Sequence, residues 1–482
     1  MPDRIRARRL TLAATALGSA IAFLDTTVVV IALPSMEEDL GLGLAGQQWV
    51  YLSYALALSA LYLVSGAVGD RIGLRRTFTA GVVLFAAASL LCAVAPDEPL
   101  LLAGRALQGV GGAALTTTSL ALLRVTWADE SGRAIGLWTS LTSVATVAGP
   151  PLGGVVVDAV SWRAIFVLNL PLSVAVVMLA AAGRVPGEDE GGRTTLDLTG
   201  SVLAAVGLTG LTYALVELRD QGSAVVPAAA VGAVALAGVA VWTARAADPL
   251  VPPRLLRRPG LVAANLVTLV VYAALGAQLV FLPVYLQFLG LSPGVSGLVF
   301  VPAGLALIAL APRLGRYADE HGPARPITVG AALIGVGALL WLPVSERAEV
   351  WTWGVASLLV AALGLAAVVA PITAAALEPS PAELAGVASG LNQTVARVGG
   401  ILSVAAVGAL AGAVFAASGG DATTPFAPGL AGEDRAAGVD AFRTVVLTVA
   451  ALAFAGSVLA ASLLRRRPVG EVEAAPSAAS LL

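Results

Sequence analysis

Apolar residues run in long unbroken stretches along this chain, separated by short polar segments rich in Arg, Gly, Pro and acids. Fourteen stretches stand out, at 11–33, 47–69, 77–95, 100–123, 135–157, 164–183, 198–217, 224–244, 261–284, 294–312, 326–344, 351–371, 384–416 and 441–464. About 20 apolar residues suffice for a helix to cross a bilayer. The pattern therefore predicts an all-α polytopic membrane protein. Strands of a closed barrel would be about ten residues long and alternating, and these stretches are neither. The 53 Gly and 27 Pro suit polytopic helices, which tolerate both.

The polar segments orient the spans, because loops on the cytoplasmic side carry excess Arg and Lys. Arg4, Arg6, Arg8 and Arg9 precede the first span, and Arg71, Arg75 and Arg76 follow the second. Arg124 and Arg133, Arg184 and Arg193, then Arg245, Arg254, Arg257 and Arg258 continue the alternation. Arg313, Arg316 and Arg325 come next, and Arg465, Arg466 and Arg467 close it. The intervening loops hold Glu37, Glu38, Asp39, Asp97 and Glu98; Arg163, Arg219, Arg347, Arg435 and Arg443 dissent. Both termini are expected in the cytoplasm, which an even span count permits. The first stretch is too long for a signal-peptide core and contains Asp25, so it is read as an uncleaved helix.

Composition narrows the chemistry. Of 482 residues, 58% are hydrophobic and 12% charged, against about 25% charged in soluble domains. Mean hydropathy is +0.90. The net charge of -2 gives no case for nucleic acid. All 28 basic residues are Arg. One cysteine, Cys92, and one histidine, His321, exclude an intrachain disulfide and a Cys/His zinc cluster, which needs three or four ligands. They also argue against an intramembrane protease or acyltransferase. No GxxxxGK[ST] phosphate loop is present. The expectation is a non-enzyme without cofactor, acting on a small molecule within lipid, as a monomer.

An internal repeat divides the chain. GAVGDRIGLRR, from Gly66 to Arg76, is echoed by GRYADEHGPAR, from Gly315 to Arg325. Gly66 and Gly315, Asp70 and Asp319, Gly73 and Gly322, and Arg76 and Arg325 are each 249 positions apart. Two homologous six-helix halves follow: residues 1–183 and 259–467, with two inserted helices within 184–258 and a disordered tail at 468–482. In the loop, Gly66 and Gly73 would let helix ends approach closely. Asp70 would cap or pair across the next helix, and Arg71, Arg75 and Arg76 would face water. A latch is the reading preferred over positive-inside anchoring alone.

Asp25 is the candidate with most chemistry. It is the fifteenth residue of its predicted helix, roughly 4–5 Å beyond the midpoint, where an ionised group is costly and usually functional. A structural hydrogen bond is the alternative. Burial disfavours a carboxylate and a neighbouring cation favours it, so a site alternating between those settings could carry protons. Arg105, about one and a half turns into the fourth span, is the natural partner; snorkelling to the interface is its alternative. Gln108, Gly109 and Gly112 share one face with it and could meet the helix of Asp25. Ala145, Gly149 and Gly153 make a small-residue stripe for close packing, next to Pro150, Pro151 and Gly154. Asn392, Gln393 and Arg397 could face a cavity or lie near the interface. Trp138 and Tyr272 are aromatic at mid-span, where a packed core is the simpler role.

Several of these motifs resemble the major facilitator superfamily. GAVGDRIGLRR is similar to its loop 2–3 signature, RALQGVGGA (Arg105 to Ala113) to the fourth-helix signature of proton-coupled members, and ATVAGPPLGG (Ala145 to Gly154) to the fifth-helix signature of antiporters. FLDTTVVVIALP resembles the first helix of fourteen-spanning drug:proton antiporters. WRAIFVLNLP, FLPVYLQ and ASGLNQTVARVGG fit the same group. Val30 stands where that group usually has Asn, and Ala145 where it has Gly. The resemblance implies two pseudo-symmetric six-helix bundles plus two central helices. It also implies a bacterial inner-membrane exporter of drugs, antibiotics or other amphiphilic molecules that works by alternating access. Asp25 would couple protons, Arg105 would modulate it, and the fifth helix would seal the cavity. A proton-coupled uptake symporter and a non-transporting sensor are the rival readings.

Overall fold

The computed structural model describes residues 2–183, 197–218, 223–246, 249, 251–377, 385–422 and 424–464. Among these, no strand occurs. The helices are α1 Pro2–Leu40, α2 Gly43–Ile72, α3 Leu74–Ala93, α4 Glu98–Thr126, α5 Ser131–Ala159, α6 Trp162–Ala182, α7 Leu198–Val216 and α8 Val225–Arg245. There follow α9 Pro253–Leu256, α10 Pro259–Phe288, α11 Pro293–Leu298, α12 Val301–His321, α13 Ala324–Leu339, α14 Trp353–Leu377, α15 Ala385–Ala417 and α16 Gly432–Leu463. Arg184, Arg193, Arg219, Arg465 to Arg467 and the tail at 468–482 lie outside the described residues.

Twelve helices among the described residues are long and apolar enough to cross a bilayer. Gly43–Tyr62 and Val64–Ile72, within α2, pass together with a 52° bend, and Ala324–Leu339 is apolar but shorter. Broad apolar surface remains exposed, including Val160, Val174, Met178, Val226, Val234 and Val458. Facing water, so much apolar area would be a liability; facing acyl chains, it is the expected exterior of a multi-pass protein.

The two halves emerge from the packing. Helices α1 to α6 form one bundle and α10 to α16 the other. The repeat extends well beyond the loop that revealed it. Gly41 (φ +66°) and Gly290 (φ +85°) turn the chain after the first helix of each half, and Gly73 (φ +109°) and Gly322 (φ +84°) after the second. Both pairs keep the 249-residue spacing, and only Gly enters such φ values cheaply. Gly81 packs against the carbonyl of Gly111 between α3 and α4, and Gly330 against that of Gly364 between α13 and α14. Helices α7 and α8 pack on one another at Gly207, Gly210 and Gly232. Helix α7 leans on α2 and α15, one from each half.

Call the end of the bundle holding the Gly73 and Gly322 turns the near end, and that of Gly41 and Gly290 the far end. The halves are joined towards the far end. Added β-carbons on Gly154 and Gly297 would lie 2.2 Å from the Pro293 carbonyl oxygen and 2.1 Å from that of Pro150, so α5 and α11 touch backbone to backbone. The Gln48 amide donates to the Val404 carbonyl at 2.8 Å, and that of Gln287 to Ile31 at 2.8 Å. Asp158 on α5 accepts from Ser292 Oγ at 2.7 Å and the Gly294 amide at 2.9 Å. Towards the near end, Thr139, Ser140, Leu141, Ser143 and Val144 of α5 are exposed, as are Leu305, Ile308, Ala309 and Pro312 of α12. The backbone contacts between α5 and α11 thus lie at the far end, and these near-end faces of α5 and α12 are left uncovered.

The structure moves several expected boundaries. Arg313 and Arg316 lie inside α12, and the stretch at 384–416 holds one continuous helix from Ala385 without an internal loop. His321 ends α12 with its ring stacked on Tyr317, centroids 4.3 Å apart.

Candidate functional site: a buried carboxylate cluster

Helix α4 starts where Asp97 caps it, accepting from the Leu100 amide at 3.1 Å, with Pro99 in the first turn. Asp, with Pro just inside, is a strong helix start. That start carries Arg105 two turns deep. The side chain is 0% exposed and does not snorkel. Its Nη1 lies 2.5 Å from Asp25 Oδ2 and 2.8 Å from Gln108 Oε1, while Nε donates to the Val50 carbonyl at 3.0 Å. Asp25, near the middle of α1 and 2% exposed, also accepts at Oδ1 from Gln108 Nε2 at 3.2 Å and Asn169 Nδ2 at 3.0 Å. Ser89 Oγ accepts from both amides, at 2.8 Å and 3.3 Å.

Four helices thus supply one polar knot: α1 the carboxylate, α4 the guanidinium and Gln108, α6 Asn169, α3 Ser89. Aromatic rings close it. The guanidinium carbon sits 4.5 Å from the Tyr54 ring centroid and 5.9 Å from that of Phe166. Cys92 is buried beside it, with Sγ 3.6 Å from Gln108 Oε1. A buried ion pair repays its desolvation only when its remaining lone pairs and protons are also bonded. Here nearly all are; Arg105 Nη2 and Asn169 Oδ1 have no hydrogen bond. If Asp25 takes a proton, Arg105 still has two neutral acceptors, Gln108 Oε1 and the Val50 carbonyl. The knot can therefore hold two charge states without leaving its cation bare.

Asn169 and Ser89 were absent from the sequence candidates. Asn169 stood within WRAIFVLNLP, and an amide in mid-span was its only signal. The face through Gly109 and Gly112 does not meet α1. Both glycines pack on Tyr54 and Leu58 of α2, while Gly111 packs on α3. Trp138 is a core residue, its indole N–H near the Thr15 carbonyl at 3.3 Å and Ser19 Oγ at 3.2 Å.

The near-end loops differ from expectation in three ways. An added β-carbon on Gly66 would meet nothing within 4 Å; Gly69 makes the close approach instead, against Thr118 and Leu74. Asp70, Arg71, Arg76, Asp319 and Arg325 are exposed, and Asp70 makes no hydrogen bond or ion pair among the described residues. Arg75 does not face water. It is buried and donates to the Ala180 carbonyl, to the Gly183 carbonyl at 2.8 Å and to Thr11 Oγ1 at 3.1 Å, tying α3 to the ends of α6 and α1. Gly315 is similarly open, 4.0 Å from Ala370.

The stripe on α5 has two partners. Gly149 and Gly153 lie against Thr27 and Val28 of α1, so close that an added β-carbon on Gly149 would sit 1.8 Å from Thr27 Oγ1. Gly154 and Pro150 face α11. Asn392 is buried and donates to Thr268 Oγ1 at 2.8 Å, pinning α15 to α10. Arg397, one and a half turns on, faces the other half instead, its guanidinium carbon 5.1 Å from the Tyr62 ring centroid.

Comparison with known proteins agrees with this architecture. The chain is 33% identical over 419 residues to multidrug resistance protein Stp of Mycobacterium tuberculosis, covering 86% of this chain and 78% of that one. It is 35% identical over 413 residues to the tetracenomycin C resistance and export protein of Streptomyces glaucescens, covering 83% and 75%. It is 32% identical over 480 residues to the cephamycin export protein CmcT of Amycolatopsis lactamdurans, covering 97% and 95%. Among solved structures, an inward-facing bacterial homologue of the human lysosomal transporter Spinster superposes with a TM-score of 0.67 at 17% identity, covering 96% and 99%. The family description Major Facilitator Superfamily matches residues 15–404. With two repeated six-helix halves and that match over most of its length, the chain belongs to the Major Facilitator Superfamily.

Proposed function

We propose that this chain is a proton-coupled exporter of drugs, antibiotics or similar amphiphilic molecules, of the fourteen-spanning antiporter type, working by alternating access. The observation that carries it is the Asp25–Arg105 pair, enclosed at the centre of one half. An intramembrane carboxylate held by a cation and two amides is suited to exchanging a proton for a change in the packing of α1 and α4. The names of the relatives support drug export over uptake. Counting the bent α2 and the shorter α13 as crossings beside the twelve spans would give fourteen. That even count, with the distribution of Arg, supports both termini in the cytoplasm of a bacterial inner membrane, the near end facing inward. Asp25 is then the proton site and Arg105 its modulator. The α5–α11 seam is the outer seal, and the Gly73 and Gly322 loops are the inner latches. A proton entering supplies about 1.4 kcal/mol per pH unit and about 2.3 kcal/mol per 100 mV, so no nucleotide is needed.

The test is drug-susceptibility profiling of a sensitive host, with transport in inverted vesicles. Wild type should protect against at least one antibiotic of a broad panel, and acidifying the vesicle lumen should drive that drug in. Asp25→Asn should express normally and do neither. Equal transport by Asp25→Asn, or transport without any pH or voltage difference, would refute the proton-coupled reading.

A further inference from the structure

Resting on that export reading, we propose that Arg397 is the cation that receives an acidic group, carboxylate or phenolate, on an aromatic cargo. Arg397 belongs to α15 of the second half, and its side chain is half-buried between the halves. It makes no hydrogen bond or ion pair among the described residues, and its Nε is buried without a partner. The guanidinium lies against the face of Tyr62, 5.1 Å away on α2. The contrast with Arg105 is instructive. That guanidinium has a carboxylate, an amide oxygen and a carbonyl, whereas Arg397 has a ring.

Within a membrane a cation without a counter-charge, here with its Nε shielded and unpaired, marks a functional site by default. The surroundings fit an aromatic acid. Tyr51 and Tyr62 are eleven residues apart on α2, three helical turns, so they share a face. Tyr rings offer stacking area with a polar tip, and a planar guanidinium fork matches a carboxylate bidentately. Both halves contribute, as a site between two rocking bundles requires. Asn392 pins α15 to α10 one and a half turns away, which fixes the base of the helix presenting Arg397.

Two dyes built on the same xanthene ring separate charge from shape. Fluorescein carries a carboxylate and a phenolate; rhodamine 6G is an ester and a cation. Equilibrium binding of each to the purified full-length protein, by fluorescence anisotropy at fixed pH, needs no gradient and so does not depend on proton coupling. Wild type should bind fluorescein more tightly than rhodamine 6G. Arg397→Gln should weaken fluorescein at least tenfold and leave rhodamine 6G within twofold, with Arg397→Lys in between. The proposal is overturned if wild type fails to bind fluorescein or prefers rhodamine 6G. It is also overturned if Arg397→Gln weakens both dyes alike, since Arg397 then serves only the packing on Tyr62. The wild-type preference alone decides the matter should Arg397→Gln not fold.

Discussion

At the scale of single residues, the cluster around Asp25 behaves as one unit. Removing its cation leaves a carboxylate, 2% exposed, with only two amides. Arg105→Ala should therefore lower stability by about 3–5 kcal/mol, visible in thermal unfolding of detergent-purified protein. Combining it with Asp25→Asn should return part of that loss, because the two side chains are in contact and their effects do not add. A double variant no more stable than Arg105→Ala would mean the pair contributes nothing. Asp25 and Arg105 were legible because an ionisable group inside an apolar stretch is too costly to stand there without a partner or a use. The depth of Arg105 was less so, since it hangs on where Asp97 and Pro99 start the helix. Asn169 and Ser89 were hidden by a plain physical fact. Neutral polar groups cost less in a helix, and many here bond their own backbone one turn back, as Thr116 and Ser119 do at 2.7 Å and 2.6 Å. Ser89 does the same, donating to the Phe85 carbonyl at 2.8 Å, and nothing in the sequence shows that its oxygen also accepts from two amides of the knot, or that Asn169 reaches the carboxylate. Arg75 was assigned to water because Arg beside a loop usually snorkels. Its partners, the carbonyls at the end of α6, lie more than 100 residues away and leave no local trace.

Among elements, the α5–α11 seam carries the sharpest prediction. A methyl on Gly154 would press on the backbone carbonyl of Pro293, which cannot swing aside as a side chain can. Gly154→Ala should therefore pry the far end open. Spin labels at Val160 on the α5 side and Ser418 on the α15 side, both exposed, should report a longer distance and a smaller closed population than in the otherwise wild-type chain. Asp158→Ala removes the carboxylate that accepts from Ser292 and Gly294, and should shift the same distance in the same direction by less. An unchanged distance in Gly154→Ala would show that the seam yields elsewhere. The glycine stripe announced close packing, but a stripe gives a face and not a partner. Gly149 and Gly153 turn to α1 of their own half, and Gly154 to the other half. Likewise the loop repeat is visible as a repeat, while the close approach expected of Gly66 is made by Gly69. Gly66 meets nothing within 4 Å, and it is the positive φ of Gly73 and Gly322 that the turns require.

For the whole molecule, the 249-residue register shows how two copies of one design have diverged. Counting back sixteen residues from Gly41 reaches Asp25, and counting back sixteen from Gly290 reaches Ala274, fully buried on α10. The glycine contacts set Gly364 opposite Gly111, so Leu358 stands where Arg105 does. The second half therefore lacks both members of the pair at these positions, while Asn392 and Arg397 stand on α15. On the proposed reading, coupling and cargo chemistry would be divided between the two halves, and the position of the carboxylate would matter as much as its presence. Moving it tests this directly. Asp25→Asn with Ala274→Asp restores the number of carboxylates but places one where α14 offers only Leu358. That chain should not regain drug transport driven by an acid lumen in inverted vesicles. It should also unfold at lower temperature than Asp25→Asn alone, by a margin reflecting a buried charge without its cation, roughly 3–5 kcal/mol. Recovered transport in the double variant would mean that either half can host the proton, and that the pairing of α1 with α4 is packing rather than machinery.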